Sequence, residues 1–192
     1  MQDHKVPLPS RDLAAIKNAL LLRPVAGKNI NLRIVDADDA AFILALRLDA
    51  DKGKFMSATT PDLDKQKDYN IRSRAKDDEF YFIIESKKGD PLGTVRIYDI
   101  QKDSFCWGSW MIADGAPFQA SIESALLIYE LAFHRMDFAQ SHFDVRRANE
   151  KVRAFHCKMG AEIVGHSTLD DFFIYKRAAY EAIRPKYARF LP

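Results

Sequence analysis

The chain has 192 residues, 47% of them hydrophobic and 29% charged, with 29 lysines and arginines against 27 aspartates and glutamates. These are the proportions of one globular domain large enough to bury a core without staples, and a formal charge of +2 gives no general pull toward nucleic acid or anionic lipid. No run approaches the ~20 apolar residues of a membrane span.

The start, Met1-Gln2-Asp3-His4-Lys5, lacks the apolar stretch of a secretory leader, and Cys106 and Cys157 are too few for a disulfide framework. A cytoplasmic protein with buried thiols is expected. Residues 1–28 read as an N-terminal helical extension, residues 29–177 as the main domain and residues 178–192 as a C-terminal tail. In the extension, Ser10 is placed to cap a helix from Arg11 to Leu22 carrying Leu13, Ile16 and Leu20 on one stripe. It would rest on the domain or on a second subunit, and a homodimer is compatible with the pattern.

From Asn29 the periodicity changes. Ile30, Leu32 and Ile34 alternate with polar neighbours as in a strand, and Asp36 or Asp38 then opens a helix with Ala41, Ile43, Leu44 and Leu46. Thr60-Pro61-Asp62 starts a second helix, capped by Thr60, that should end near Ala75. Three strands joined by polar turns follow: Tyr81–Glu85, Leu92–Tyr98 and Phe105–Ile112. A loop with Gly115 and Pro117 leads to a helix whose Ile122, Leu126, Tyr129, Phe133 and Met136 share one face. Residues His142–Arg146 form a strand, Asn149 caps a helix closed by Gly160, and two strands, Ala161–His166 and Phe172–Lys176, finish the domain. The tail is helical, then irregular after Pro185.

This order predicts an α/β fold with a mixed, mostly antiparallel sheet of about seven strands flanked by helices. A helix that begins directly after a strand and a glycine-containing loop offers free N–H groups and the positive end of its dipole, a natural seat for a diphosphate.

The order resembles the GCN5-related N-acetyltransferases over Asn29 to Lys176, most specifically in Asn149-Glu150-Lys151-Val152-Arg153-Ala154-Phe155-His156-Cys157-Lys158-Met159-Gly160-Ala161. In that family an Asn opens the last main helix and an aromatic pair falls within it. Gly93-Thr94-Val95 is similar to the family's third strand. Trp107-Gly108-Ser109-Trp110-Met111 is similar to the fourth strand of members that acetylate ribosomal-protein N-termini and amino sugars. Arg47 to Met56 is similar to nucleotide-linked amino-sugar acetyltransferases.

The resemblance implies a sheet splayed between central strands, with acetyl-CoA as co-substrate in the gap. The backbone of Trp110, Met111 and Ile112 would pair with pantetheine by strand addition. Asn149 would meet the same arm, and Gln119, Ala120 and Ser121 would cradle the diphosphate. The loop departs from the family pattern: with Gln119 first, Ile122 and Ser124 replace its small pair, and with Phe118 first, Ser121 and Glu123 do. Glu123, a first-turn acid, is expected to face solvent.

His156 stands where relatives carry a proton-donating tyrosine, and an imidazole of pKa ~6.5 has a charged form to offer near neutral pH. Its other reading is an idle histidine bonded to a carbonyl. Arg47 and Phe55 fall where the family builds its acceptor pocket, Arg47 suited to a phosphate or carboxylate. Trp107 and Trp110, three apart on a strand, should face opposite sides. The base is not legible: the family's glutamate position reads Cys106-Trp107, and Asp99, Asp114 and Asp144 are substitutes of equal standing. The five histidines show no metal-ligand spacing, so no metal is expected.

The function so implied is acetyl transfer to a primary amine, that of a small-molecule amino sugar, expected to be nucleotide-linked, first and a protein N-terminus second. A non-catalytic module of the same fold is the rival from another class.

Overall fold

The computed structural model describes residues 12–192; the expected cap at Ser10 lies outside them. Helix α1 (Leu13–Leu22) is capped by Asp12, whose side chain accepts from Ala15 N at 2.8 Å. Strands β1 (Val25–Ala26) and β2 (Ile30–Ile34) follow, then helices α2 (Ala40–Leu48) and α3 (Leu63–Ala75). The cap of α3 is Asp62, not Thr60: its carboxylate accepts from Lys65 N at 3.0 Å, which a residue two positions earlier cannot reach.

Strands β3 (Phe80–Ser86), β4 (Pro91–Gln101) and β5 (Ser104–Ile112) make the meander. Helix α4 (Gln119–Tyr129) continues into a wide turn over Glu130–Arg135, where Met136 N donates to Leu131 O at 2.9 Å. Strand β6 (Gln140–Arg146), helix α5 (Glu150–Met159), β7 (Glu162–His166), β8 (Asp170–Lys176) and helix α6 (Arg177–Ile183) complete the order. The end is not irregular: Arg184–Phe190 winds as a tight helix that buries Phe190 and Leu191.

The strands form one sheet of eight in the order β1-β2-β3-β4-β5-β6-β8-β7. The eighth is β1, two residues that pair with Leu32 and Asn31 of β2 and are too short for periodicity to reveal. Alternation on β3 divides the faces. Phe80, Phe82 and Ile84 enter the large core with α4, while Tyr81 and Ile83 pack with Val35 and Ile43 beneath α2 and α3. Helix α4 is the core's centre: from Glu123 to Tyr129 every residue is buried.

All neighbouring strands are antiparallel except β5 and β6, which are parallel and meet in register only at Ser104↔Gln140 and Phe105↔Ser141. Beyond those rungs the two diverge. Among the described residues no helix is long and apolar enough to cross a membrane.

Candidate active site

A bulge in β5 shapes the site. Thr94 pairs with Met111 and Arg96 with Gly108, so β5 spends one residue more than β4 over this interval, and Ser109 takes φ +48°. Thr94 Oγ1 donates to Ser109 O at 2.7 Å and pins the kink. The extra residue resets the alternation, so Trp107 and Trp110 lie on one side with ring centroids 5.4 Å apart, contrary to the expectation from their spacing. Trp107 Nε1 donates to Tyr129 Oη at 3.0 Å and Trp110 Nε1 to Ser124 Oγ at 3.1 Å, which fixes both indoles to α4.

Where β5 and β6 part, Trp107 and Phe143 face each other across the gap at 6.4 Å, and the His156 ring lies against both, at 5.5 and 4.3 Å. His156 is buried and its Nδ1 has no hydrogen-bond partner. Burial pushes the imidazole pKa down to about 3, so the ring is neutral at pH 7 and its charged form is not available there. Asn149 caps α5 by accepting from Val152 N at 3.4 Å.

The gap opens into a cavity of about 610 Å³ that reaches the α2–α3 segment. Of the residues singled out in the sequence, Arg47, Phe55, Trp107, Trp110, Asp144, Asn149 and His156 line it. Met111 and Ile112 continue β5 past the bulge, and Gln119, Ala120 and Ser121 form the first turn of α4; none of these five lines the cavity. Ala120 N donates to Pro117 O at 2.9 Å and Ser121 Oγ to Phe118 O at 3.0 Å, so part of that turn's donor capacity is spent locally.

Arg47 leaves the last turn of α2 and is held by neutral partners: Nε donates to Thr59 Oγ1 at 2.6 Å and Nη2 to Ser57 at 3.1–3.2 Å. The cavity also has a wall the sequence reading missed, made by Tyr69 and Arg72 of α3, Tyr81 of β3, and Arg96 and Tyr98 of β4. The Arg96 guanidinium lies 4.0 Å from the Tyr98 ring centroid, donates to Tyr69 Oη and sits 3.6 Å from the Glu79 carboxylate. Burial would raise the Glu79 carboxyl, but hydrogen bonds from Lys76 and Tyr69 and the Arg96 charge hold it below the usual range. The signal was the polar alternation Thr94, Arg96, Tyr98 on one face of a strand.

Two expectations are corrected here. Glu123 does not face solvent; it is fully buried and accepts from Asn29 N at 2.8 Å, Asn29 Nδ2 at 2.8 Å and Ile30 N at 3.2 Å. It is held away from the helix's open end by the β1–β2 turn, which supplies the donors. Of the thiols only Cys106 is buried, its pKa pushed up to about 12 by burial, while Cys157 is exposed on α5. No cluster of three or more potential metal ligands occurs among the described residues.

The family model described as an acetyltransferase (GNAT) domain matches residues 29–162. The chain belongs to the GNAT acetyltransferases and is an N-acetyltransferase by that membership. Among solved structures it is similar to apo FdhC, described as a nucleotide-linked sugar GNAT, with 37% identity over 88% of this chain and 98% of the other and a TM-score of 0.79. A GCN5-related N-acetyltransferase from Brucella melitensis shares the fold at 15% identity, covering 85% of this chain and 83% of its own, with a TM-score of 0.72. A mutant form of the spermidine/spermine N-acetyltransferase SpeG from Vibrio cholerae does so at 15% identity over 81% and 98%, with a TM-score of 0.67. A search of curated proteins finds no match.

Proposed function

We propose that the protein transfers the acetyl group of acetyl-CoA to the primary amine of a nucleotide-linked amino sugar. The observation that carries the acceptor class is the charge of the cavity wall. Arg47, Lys65, Arg72, Arg96 and Arg146 line it against only Asp62 and Asp144. Asp62 is committed to its cap and to Lys65, and neither Arg47 nor Arg72 has a carboxylate partner among the described residues. A lining of this sign attracts a diphosphate and repels a polyamine. The description of FdhC agrees with that acceptor.

Acetyl-CoA fits the open edge of β5. Past Phe105 that edge has no ladder partner in β6, so its N–H and C=O groups match the amides of an extended arm. When bound, acetyl-CoA supplies the activated acetyl group. The chain's part is mainly positioning: the β5 edge and Asn149 align the arm, Gln119, Ala120 and Ser121 face the diphosphate, and Phe55 and Arg47 hold the acceptor. Neutral His156, beneath the gap, offers one N–H to the departing sulfur.

The test is release of CoA thiol from acetyl-CoA with a panel of amines. Nucleotide-linked amino sugars should be turned over and spermidine should not; preference for spermidine, or no release with any amine, rejects the reading. Acetyl-CoA alone should raise the unfolding midpoint as its concentration passes Kd, and no shift at millimolar ligand favours a non-catalytic module.

Arg47→Ala should raise KM for the nucleotide-linked acceptor by about 10-fold or more, the worth of a charge-assisted hydrogen bond. It should change KM for the free amino sugar much less. Equal changes for both would reduce Arg47 to its tie with Thr59.

A further inference from the structure

The amine of an acceptor arrives mainly as an ammonium at neutral pH and must lose a proton before it attacks. The reaction therefore needs a proton acceptor within reach of the gap between β5 and β6. The described carboxylates near this region can be separated by what already holds them. Asp99 accepts from Gln101 at 3.0 Å and lies 3.1 Å from His142 Nε2. Asp114 holds Lys52 at 2.8 Å. The backbone N–H of Lys65 keeps the Asp62 carboxyl below its usual range, a weak base. Glu79 is enclosed by Tyr69, Lys76 and Arg96.

Asp144 differs from all of these. It stands on β6 just past the last rung with β5, is exposed, and lines the cavity. Among the described residues no hydrogen bond or ion pair engages its carboxylate. It pairs in register with Phe172 of β8, an apolar neighbour that leaves its oxygens unclaimed. The groups facing it are Tyr98 of β4 and Cys106 of β5, both of which its charge reaches, with Arg146 and His142 along its own strand and Arg96, Arg72, Lys65 and Tyr69 across the cavity. Among the described residues that line the cavity, it is the one carboxylate with no hydrogen bond or ion pair to its side chain.

We infer that Asp144 is the general base of the transfer, receiving the acceptor's ammonium and taking one of its protons directly or through one water. This rests on the proposed acetyl transfer to an amine. The freed lone pair forms the C–N bond, the C–S bond breaks, and the second proton leaving nitrogen goes to the sulfur. The products are the amide and CoA thiol, with one proton passed from Asp144 to solvent.

Asp144→Asn should lower kcat by about 100-fold or more, the usual worth of a positioned base. The unfolding midpoint and the acetyl-CoA-induced shift should stay unchanged, since Asp144 supports no neighbour. Activity of the variant should recover as pH rises and free amine accumulates, moving the acid limb of kcat/KM to higher pH. Wild-type turnover together with an unchanged kcat and pH profile in Asp144→Asn overturns this assignment alone. Absence of wild-type turnover with every amine overturns the acetyl-transfer reading and the assignment with it.

Discussion

Glu123→Ala should destabilise the protein by about 3 kcal/mol or more, because it removes three hydrogen bonds to a carboxylate, each worth ~1.5–3 kcal/mol, and leaves the buried Ile30 N–H unpaired, while the two Asn29 donors can turn to water. In a domain of this length that is a fall in unfolding midpoint of roughly 6 °C or more. The site explains the size. Glu123 is fully buried, and both its oxygens are used by Asn29 and Ile30. Glu123→Gln should recover only part of the loss, since an amide NH₂ would then confront a donor. Gly27 tells the same story from the other side: a Cβ there would come within 2.4 Å of Glu123 Oε1 and 2.7 Å of Ile30 O, so the turn accepts no side chain. A thermal melt of Glu123→Ala within 1–2 °C of wild type would contradict the account.

A second large effect lies in the acid range. In the folded protein burial pushes His156 down to about 3, whereas the unfolded chain binds its proton near ~6.5. The folded pKa is the lower, so the stability it contributes is complete above pH ~6.5 and is lost as pH falls toward about 3. The limiting slope is about 1.4 kcal/mol per pH unit. His156→Phe should therefore flatten the stability profile between pH 6.5 and 5, and should not weaken the protein at pH 7, because the aromatic neighbours Trp107, Phe143 and Phe155 suit a phenyl ring. The window matters: Glu79 and Glu130 carry lowered pKa values and lose their contributions only at more acid pH. Chemical denaturation of both proteins at pH 7, 6 and 5 measures this, and parallel curves would refute it.

Most of the fold was readable from pattern: β2 and β6 keep one face in the core and alternate accordingly, while β3, buried on both faces, reads as a continuous apolar run. What escaped was non-local. The partners of Glu123 lie 94 and 93 residues earlier in the chain, so a first-turn acid looked like any other solvent-facing one. Ser109 carries none of the glycine or asparagine that commonly marks a positive φ, and the two tryptophans were placed on opposite faces for that reason. Arg47, Phe55, Trp110, Asn149 and His156 share the cavity. The cationic wall opposite them comes from α3, β3 and β4, whose side chains converge only once the sheet is assembled.

The parallel pair at the centre of the sheet has a mechanical consequence. Only two rungs, at Ser104–Phe105 and Gln140–Ser141, knit the five-stranded half to the three-stranded half. The sheet behaves as a clothes-peg sprung at one end, and a guest strand in its jaws would supply the missing rungs. Occupancy and rigidity then rise together, and amide exchange along the lips of the jaws is where tightening would first be felt.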